Sequence, residues 1–182
     1  MADISASKES FLQTEVGTLE RVLLRHARDA FGSSELVKVH WKGLNYLSQP
    51  RFDEACREYD QFAELLERLG VSIEWMTGGD LGLDSIYVRD ASIISDRGVI
   101  LCAMGKGTRS LEPYAQGRVF ERLGVPVHGQ IERTGTIEGG DVTWLDYRTL
   151  AVGRGYRTNG SGIGQLRRLL PDVDILLSLI HI

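Results

Sequence analysis

Hydrophobic and polar positions divide the chain into short strand-like runs and longer helical stretches. Residues 21–24 read as a first strand, and each of three predicted helices is followed by another short strand. The pairs of helix and strand are 52–69 with 71–75, 111–123 with 125–127, and 163–170 with 173–175. Gly70 and Gly124 end the first two helices, as glycine commonly does just beyond a helix C-terminus. This alternation of strands and helices predicts the α/β fold class.

Two β-hairpins of similar pattern precede the second and third helices. Residues 89–101 and 140–152 each run from an acid through an apolar stretch and a polar turn into a second apolar stretch. The chain is therefore predicted to contain about three copies of a strand–strand–helix–strand unit of about 50 residues each. One such unit cannot bury its apolar face alone, so the copies are expected to pack together.

Composition narrows the class of protein. The 42% of hydrophobic and 25% of charged residues are typical of a globular domain, and the net charge of -4 disfavours a dedicated nucleic-acid binder. No run approaches the ~18 apolar residues of a membrane span, and residues 1–15 lack the apolar core of a signal peptide. The two cysteines do not form a disulfide framework, so we expect a cytoplasmic protein.

Acidic residues stand at the ends of the predicted strands. Asp84 and Asp90 bracket a strand-like run, and their even spacing places both side chains on one face. Glu138 and Asp141 flank the pair Gly139-Gly140, where the lack of side chains permits the close approach of a ligand. Repeat symmetry predicts that these carboxylates converge, and converging carboxylates repel unless a cation lies between them.

The residue pattern leaves the nature of that cation open. The sequence has no His/Cys cluster with transition-metal spacing, whereas magnesium or a planar guanidinium would both suit carboxylates. Loops that contain glycine follow the two hairpins, and they carry Arg109 and Arg157, which can bind a carboxylate. Taken singly, Asp84 and Asp141 are more typical of turn caps, Glu138 of an exposed side chain, and the arginines of solvated loop tips, and only their combination in the repeat favours a binding site.

Three segments together resemble the guanidine-modifying superfamily, and within it the dimethylargininase family. They are Tyr87-Val88-Arg89-Asp90, Ile137-Glu138-Gly139-Gly140-Asp141 and Arg157-Thr158-Asn159, in this order and at these distances. The resemblance covers the chain from Leu19 to about Ile175. It implies an α/β propeller of the pentein type, built from five ββαβ units, of which this chain would hold about three. Residues 1–176 would then be the N-terminal portion of a single domain.

The resemblance also implies a role for each matching residue. Asp84 and Asp90 would hold the guanidinium of the substrate. Glu138 would touch the guanidinium as well, and it would orient the histidine that acts as general acid and base. Arg109 and Arg157 would bind the α-carboxylate of the substrate. The residues that would brace the site are Asp141, Gly139 and Gly140.

The activity implied by the resemblance is hydrolysis of N-methylated arginine to citrulline and methylamine. It proceeds through a covalent intermediate on a cysteine and needs no metal or organic cofactor. Arg89 stands where family members often carry glutamate, which favours arginine deiminases and amidinotransferases as alternatives. A non-catalytic pentein binding module is an alternative of another class. The implied partner is a small guanidino substrate, without nucleic acid or membrane, and a homo-oligomer is compatible with it.

The catalytic cysteine and histidine implied by the resemblance are not found in the chain. Cys56 and Cys102 lie in apolar patterns that are typical of buried structural cysteines, and the surroundings of His181 do not match the family motif. Residues 177–182, Leu-Ser-Leu-Ile-His-Ile, match the translation of a sequencing-adaptor DNA, so we expect a non-native tail. We therefore expect the N-terminal part of a longer enzyme, inactive by itself.

Overall fold

A computed structural model of the chain describes residues 13–178. Its strands and helices follow the predicted alternation. In chain order they are β1 (Arg21–Leu24), α1 (Ala27–Phe31), α2 (Ser34–His40), α3 (Phe52–Arg68), β2 (Ser72–Trp75), β3 (Ser92–Ser95), β4 (Gly98–Leu101), α4 (Glu112–Arg122), β5 (Val127–Gln130), β6 (Val142–Asp146), β7 (Thr149–Gly153), α5 (Gly160–Leu169) and β8 (Asp174–Ser178). None of the helices in this part of the chain has the length and apolar character needed to cross a membrane.

Two ββαβ units repeat along the chain. In the first of them, β3 and β4 form an antiparallel hairpin, α4 follows, and β5 returns parallel to β4. In the second, β6 and β7 form the hairpin, α5 follows, and β8 returns parallel to β7. Both predicted hairpins are thus confirmed. The strands of residues 13–178 form three separate small sheets and no closed barrel.

The N-terminal unit differs from the other two. Within the described residues it has a two-stranded parallel sheet, β1 with β2, and three helices between the strands. The sequence pattern did not predict α1 and α2, because helices of five and seven residues are too short to show a clear period. Each begins at a capping side chain: His26 accepts a hydrogen bond from the Arg28 amide, and Ser33 from the Leu36 amide.

The bounds of the remaining elements agree with the pattern to within a few residues. Gly70 and Gly124 follow the ends of α3 and α4 with φ of 83° and 73°, a left-handed conformation that glycine adopts without steric cost. The strand predicted at 125–127 is displaced and runs over Val127–Gln130 as β5. The strand-like run between Asp84 and Asp90 does not form a strand.

The largest core cluster joins the two complete units. Ile100, Ile137 and Leu150 are fully buried in it, and Leu166 packs against them from α5. The indole Nε1 of Trp144 donates a hydrogen bond of 3.0 Å to the Ile94 carbonyl, so β6 is tied directly to β3. These contacts hold the two hairpins in a fixed relation, and the loops that follow them come together at one end.

The C-terminal strand includes part of the predicted non-native tail. Leu177 and Ser178 belong to β8 and pair with Val152 and Gly153 of β7. Residues 179–182, including His181, lie outside the described residues, so the interpretation of this segment stays a prediction.

We predict that Gly162→Ala lowers the free energy of unfolding by about 1–3 kcal/mol, the usual cost of overpacking. A methyl group at Gly162 would overlap the Thr136 carbonyl, which belongs to the backbone and cannot move aside easily. Gly160→Ala is the matched control in the same helix, because a methyl group there meets nothing within 4 Å. The control should be neutral or stabilising by up to about 1 kcal/mol. Urea unfolding of both variants gives the comparison, and equal effects would contradict this packing.

Candidate functional site

An open cleft of about 730 Å³ lies where the loops after the hairpins meet the segment before β3. All five residues predicted to bind a guanidinium or a carboxylate line it. They are Asp84, Asp90, Arg109, Glu138 and Arg157. The remaining wall is largely apolar and aromatic, with Leu24, Tyr59, Phe62, Tyr87 and Tyr156 among its residues. The cleft therefore combines a charged base with an apolar rim, which suits a small ligand that has a charged head.

Two consecutive 3-10 turns carry Asp84 and Asp90. The turns span Leu83–Ile86 and Val88–Ala91, so the prediction of a strand here is wrong. Gly82, at φ 76°, sets the chain into the first turn, and the Ser85 hydroxyl donates to the Gly82 carbonyl at 2.6 Å. Both carboxylates reach the cleft because of the turns and not because of the alternation of a strand.

The diglycine pair allows a third turn, Gly139–Asp141, to approach the Val88–Ala91 turn closely. A methyl group on Gly139 would overlap the carbonyl oxygens of Arg89 and Ser92, and one on Gly140 would overlap the Asp90 carboxylate. The absence of side chains at these two glycines thus allows two segments of the chain to pack closely together, and not the approach of a ligand that the sequence predicted. It brings the loop of Glu138 against the loop of Asp90.

Glu138 is the most enclosed carboxylate that lines the cleft, with 1% of its surface exposed. Its Oε1 accepts a hydrogen bond of 2.9 Å from the Gly105 amide, and its Oε2 lies 3.3 Å from Nη1 of Arg157. Burial raises the pKa of Glu138, and the negative charge of Asp90 raises it further, although the Gly105 amide and two arginines oppose the shift. A carboxyl group of this kind can hold a proton closer to neutrality than a surface glutamate can.

The Arg157-Thr158-Asn159 segment connects the carboxylates to α5. Nη2 of Arg157 pairs with Asp141, and its Nη1 lies 3.8 Å from Oδ1 of Asp90. The Thr158 hydroxyl donates to Asp141 at 2.7 Å, and the Asn159 side chain caps α5. Since 31% of the Arg157 side chain is exposed, its guanidinium still faces the cleft. Its role in binding a substrate carboxylate stays a prediction.

Arg109 is buried and fully engaged with the protein. Its Nε and Nη2 donate to the two carboxylate oxygens of Glu112 at 2.8 Å each, and its Nη1 donates to Oδ2 of Asp90 at 2.7 Å. Nη2 also reaches the carbonyls of Asp84 and Tyr87 at 3.2 Å. In this structure Arg109 therefore braces Asp90 and the two 3-10 turns, and its predicted contact with a substrate carboxylate stays a prediction.

Two charged residues of the cluster were not predicted from the sequence. Glu112 is 1% exposed, and its burial raises the pKa of its carboxyl group despite the contact with Arg109. Arg109 and Glu112 are three residues apart near the start of a predicted helix, and residues at this spacing are neighbours on a helical turn. The sequence therefore did contain an indication of this ion pair. Lys106 places its Nζ 2.9 Å from Oδ2 of Asp84 and 3.3 Å from the Leu44 carbonyl. Apart from the position of Lys106 between two glycines, nothing in the sequence indicated this contact.

The cluster as a whole carries an excess of negative charge. Its carboxylates are Asp84, Asp90, Glu112, Glu138 and Asp141, and its cations are Lys106, Arg109 and Arg157. With five carboxylates and three cations, a further cation is favoured electrostatically. Arg89 lines the cleft too, but its guanidinium pairs with Glu15 at 2.8 Å and donates to the Val142 carbonyl.

Among the residues that the structure describes, neither a cysteine nor a histidine lines the cleft. Cys56 and Cys102 are buried and do not line it, and burial raises the pKa of both thiols. No histidine of residues 13–178 lines it either. Within the same residues, no group of three or more His, Cys, Asp or Glu side chains is arranged to hold a metal ion.

The comparison with family models decides where this chain belongs. Residues 84–176, just over half of the 182, match the family model described as arginine deiminase. The chain belongs to the arginine deiminase family. The match begins at Asp84 and includes every candidate site residue of the cleft, so the family and the cleft rest on the same segment.

Curated relatives cover a similar part of the chain. A dimethylarginine dimethylaminohydrolase of Streptomyces coelicolor is 33% identical over 113 residues, which are 62% of this chain and 43% of that protein. The enzyme of the same name from Pseudomonas aeruginosa is 24% identical over 138 residues, 76% of this chain and 54% of that protein. The chain thus spans about half the length of these relatives.

Solved structures with the same fold include several amidine-modifying enzymes. Dimethylarginine dimethylaminohydrolase from Pseudomonas aeruginosa, complexed with citrulline, gives a TM-score of 0.71 at 20% identity over 91% of this chain and 64% of that one. An amidinotransferase from Microseira wollei gives 0.68 at 16% identity over 92% of this chain and 63% of that one. These similarities confirm the pentein fold for this member of the arginine deiminase family.

We predict that neither thiol reacts with a thiol reagent in the folded chain at pH 8. Cys56 and Cys102 are buried, and the raised pKa of each thiol keeps it protonated, whereas only the thiolate is nucleophilic. Absorbance with Ellman's reagent should report two thiols per chain in denaturant and almost none before unfolding. Rapid labelling of Cys102 in the folded chain would contradict the burial of this thiol.

We predict that the stability of Glu138→Gln relative to the unsubstituted chain increases as the pH rises above 4.5. The folded state raises the pKa of Glu138, so it binds this proton more tightly than the unfolded chain does. The unsubstituted chain therefore loses stability between pH 4.5 and the raised pKa, and the glutamine variant avoids this loss. Urea unfolding at several pH values gives the difference in the free energy of unfolding.

The matched control for Glu138→Gln is Glu121→Gln, which removes an exposed carboxylate from α4. It accounts for the general effect of losing one negative charge. An advantage of Glu138→Gln that shrinks as the pH rises would contradict the buried, negatively charged environment of Glu138.

Proposed function

We propose that this chain forms the guanidinium-binding part of an amidine-hydrolysing enzyme of the dimethylargininase type. The observation that carries the proposal is the convergence of Asp84, Asp90 and Glu138 on one cleft whose charged cluster has an excess of negative charge. A guanidinium is planar and cationic, and it matches carboxylates through paired hydrogen bonds. The relatives named as dimethylarginine dimethylaminohydrolases support the choice of an N-methylated arginine as substrate.

The cations already present in the cleft indicate where the guanidinium would bind. The Arg157 guanidinium lies between Asp90 and Glu138, at 3.8 and 3.3 Å from their oxygens. A substrate guanidinium would bind the same carboxylates from the open side, where Tyr87 and Tyr156 provide surfaces for apolar groups. These aromatic rings would contact the N-methyl groups and the aliphatic part of the substrate.

The reaction would proceed in two steps. A cysteine thiolate forms a bond to the guanidinium carbon, and the bond from that carbon to the methylated nitrogen breaks as a histidine gives this nitrogen a proton. Water, deprotonated by the histidine, then adds to the same carbon, and the carbon–sulfur bond breaks to give citrulline and the thiolate. In this proposal both groups come from residues outside 13–178, and the carboxylates hold the carbon in position for attack.

An arginine deiminase or an amidinotransferase is the second candidate. It shares the covalent intermediate but differs in the leaving group or the acceptor. The match to the arginine deiminase model and the amidinotransferase structure of the same fold favour it, as does arginine at position 89. The unpaired thiols Cys56 and Cys102 support a reducing, cytoplasmic setting for either candidate.

We predict saturable binding of dimethyl-L-arginine to the 182-residue chain, weakened at least about tenfold by Asp90→Asn. The substitution keeps the size of the side chain and removes a charge-assisted hydrogen bond of about 1.5–3 kcal/mol. Titration calorimetry measures the dissociation constant, and L-arginine in parallel separates the two candidate functions. We expect no citrulline from this chain alone.

The control for Asp90→Asn is Asp172→Asn, which removes a carboxylate that pairs with Arg97 and does not line the cleft. The affinity of Asp172→Asn for dimethyl-L-arginine should equal that of the unsubstituted chain. Circular dichroism verifies the fold of both variants. The proposed function fails if no arginine derivative binds, or if Asp90→Asn binds as tightly as the control.

A further inference from the structure

Lys106 forms an ion pair with the carboxylate of Asp84 at one end of the cleft. Its Nζ lies 2.9 Å from Oδ2 of Asp84 and 3.3 Å from the Leu44 carbonyl. The Asp84 side chain is only 6% exposed in this arrangement, whereas 39% of the Lys106 side chain is exposed. A ligand cation that binds Oδ2 of Asp84 must therefore take the place of the lysine ammonium.

Lys106 is also the cation of the cluster that can leave most easily. Arg109 is 6% exposed and is fixed by two carboxylates and two carbonyls, and Arg157 is fixed by Asp141 and Glu138. Lys106 has one carboxylate and one carbonyl as partners and a flexible four-carbon chain between its backbone and its charge. Its ammonium can exchange Asp84 for water without disturbing the rest of the network.

We propose that Lys106 is a specificity-determining residue, which competes with a cationic ligand for Asp84 and pairs with Asp84 again when the ligand is neutral. The inference rests on the proposed function, in which the substrate carries a guanidinium and the product a neutral ureido group. Binding of the cationic substrate displaces the ammonium into the solvent. Once the positive charge of the ligand is lost, the ammonium returns to Asp84, and this exchange favours release of the product.

Competition of this kind lowers the affinity for cations and leaves the affinity for neutral ligands unchanged. A partly exposed lysine–carboxylate contact of about 1–1.4 kcal/mol corresponds to a five- to tenfold competition. Lys106→Met should therefore bind L-arginine about five- to tenfold more tightly than the unsubstituted chain does. L-citrulline, which has the same shape without the charge, should bind both proteins equally. Lys106→Arg keeps a cation at this position and serves as the matched control, with affinities near those of the unsubstituted chain.

The unsubstituted chain provides a second measurement that does not depend on the folding of any variant. Acetylation of Lys106 by a succinimidyl ester, followed by mass spectrometry, should increase when L-arginine is bound and stay constant with L-citrulline. The exposed Lys38 and Lys42 are internal references for the reagent.

The outcomes separate this inference from the proposed function. If the unsubstituted chain binds L-arginine and Lys106→Met binds it equally tightly, the role of Lys106 is overturned and the proposed function stands. If Lys106→Met binds both L-arginine and L-citrulline more tightly than the unsubstituted chain does, the substitution acts on the shape of the cleft. The proposed role of Lys106 is then overturned as well. If neither protein binds L-arginine or dimethyl-L-arginine, the proposed function and the inference fail together.

Discussion

The candidate site depends on the close approach of two backbone turns. The Gly139–Asp141 turn lies against the Val88–Ala91 turn with no room for a methyl group, because the carbonyls of Arg89 and Ser92 occupy that space. This contact sets the separation of Asp90 and Glu138, which belong to different ββαβ units. The shared core behind them, with Ile100 and Ile137 fully buried, keeps the two turns from moving apart.

Bringing acidic groups together in a partly buried place has an electrostatic cost, and the chain offsets it with its own cations. Arg109 binds Glu112 and Asp90 at once, and Arg157 bridges Asp141 and Glu138. The compensation is incomplete, because burial still raises the pKa of Glu138 and Glu112. The remaining negative charge is the physical basis for attraction of a cationic ligand, so the same feature that strains the fold favours binding.

Membership of the arginine deiminase family and the pentein fold agree with this electrostatic description. The family match begins at Asp84 and ends at residue 176, and it therefore contains the first ββαβ unit, the second unit except for the last two residues of β8, and every predicted site residue of the cleft. The N-terminal unit lies outside the match but contributes Leu24, Tyr59 and Phe62 to the wall of the cleft. The charged base of the cleft thus comes from the matched segment, whereas its apolar rim is built from both parts of the chain.

Local signals in the sequence were sufficient for the repeated hairpins, for α3 to α5 and for the acids that line the cleft, because period and turn residues act over a few neighbours. They failed where a distant contact decided the outcome. The run from Asp84 to Asp90 alternates like a strand but belongs to two 3-10 turns. Leu83 of the first turn packs against α1, and the second turn packs against a turn some 50 residues later. Which cation meets which carboxylate was likewise decided by tertiary structure, since Lys106 and Asp84 become neighbours only when their loops meet at the cleft.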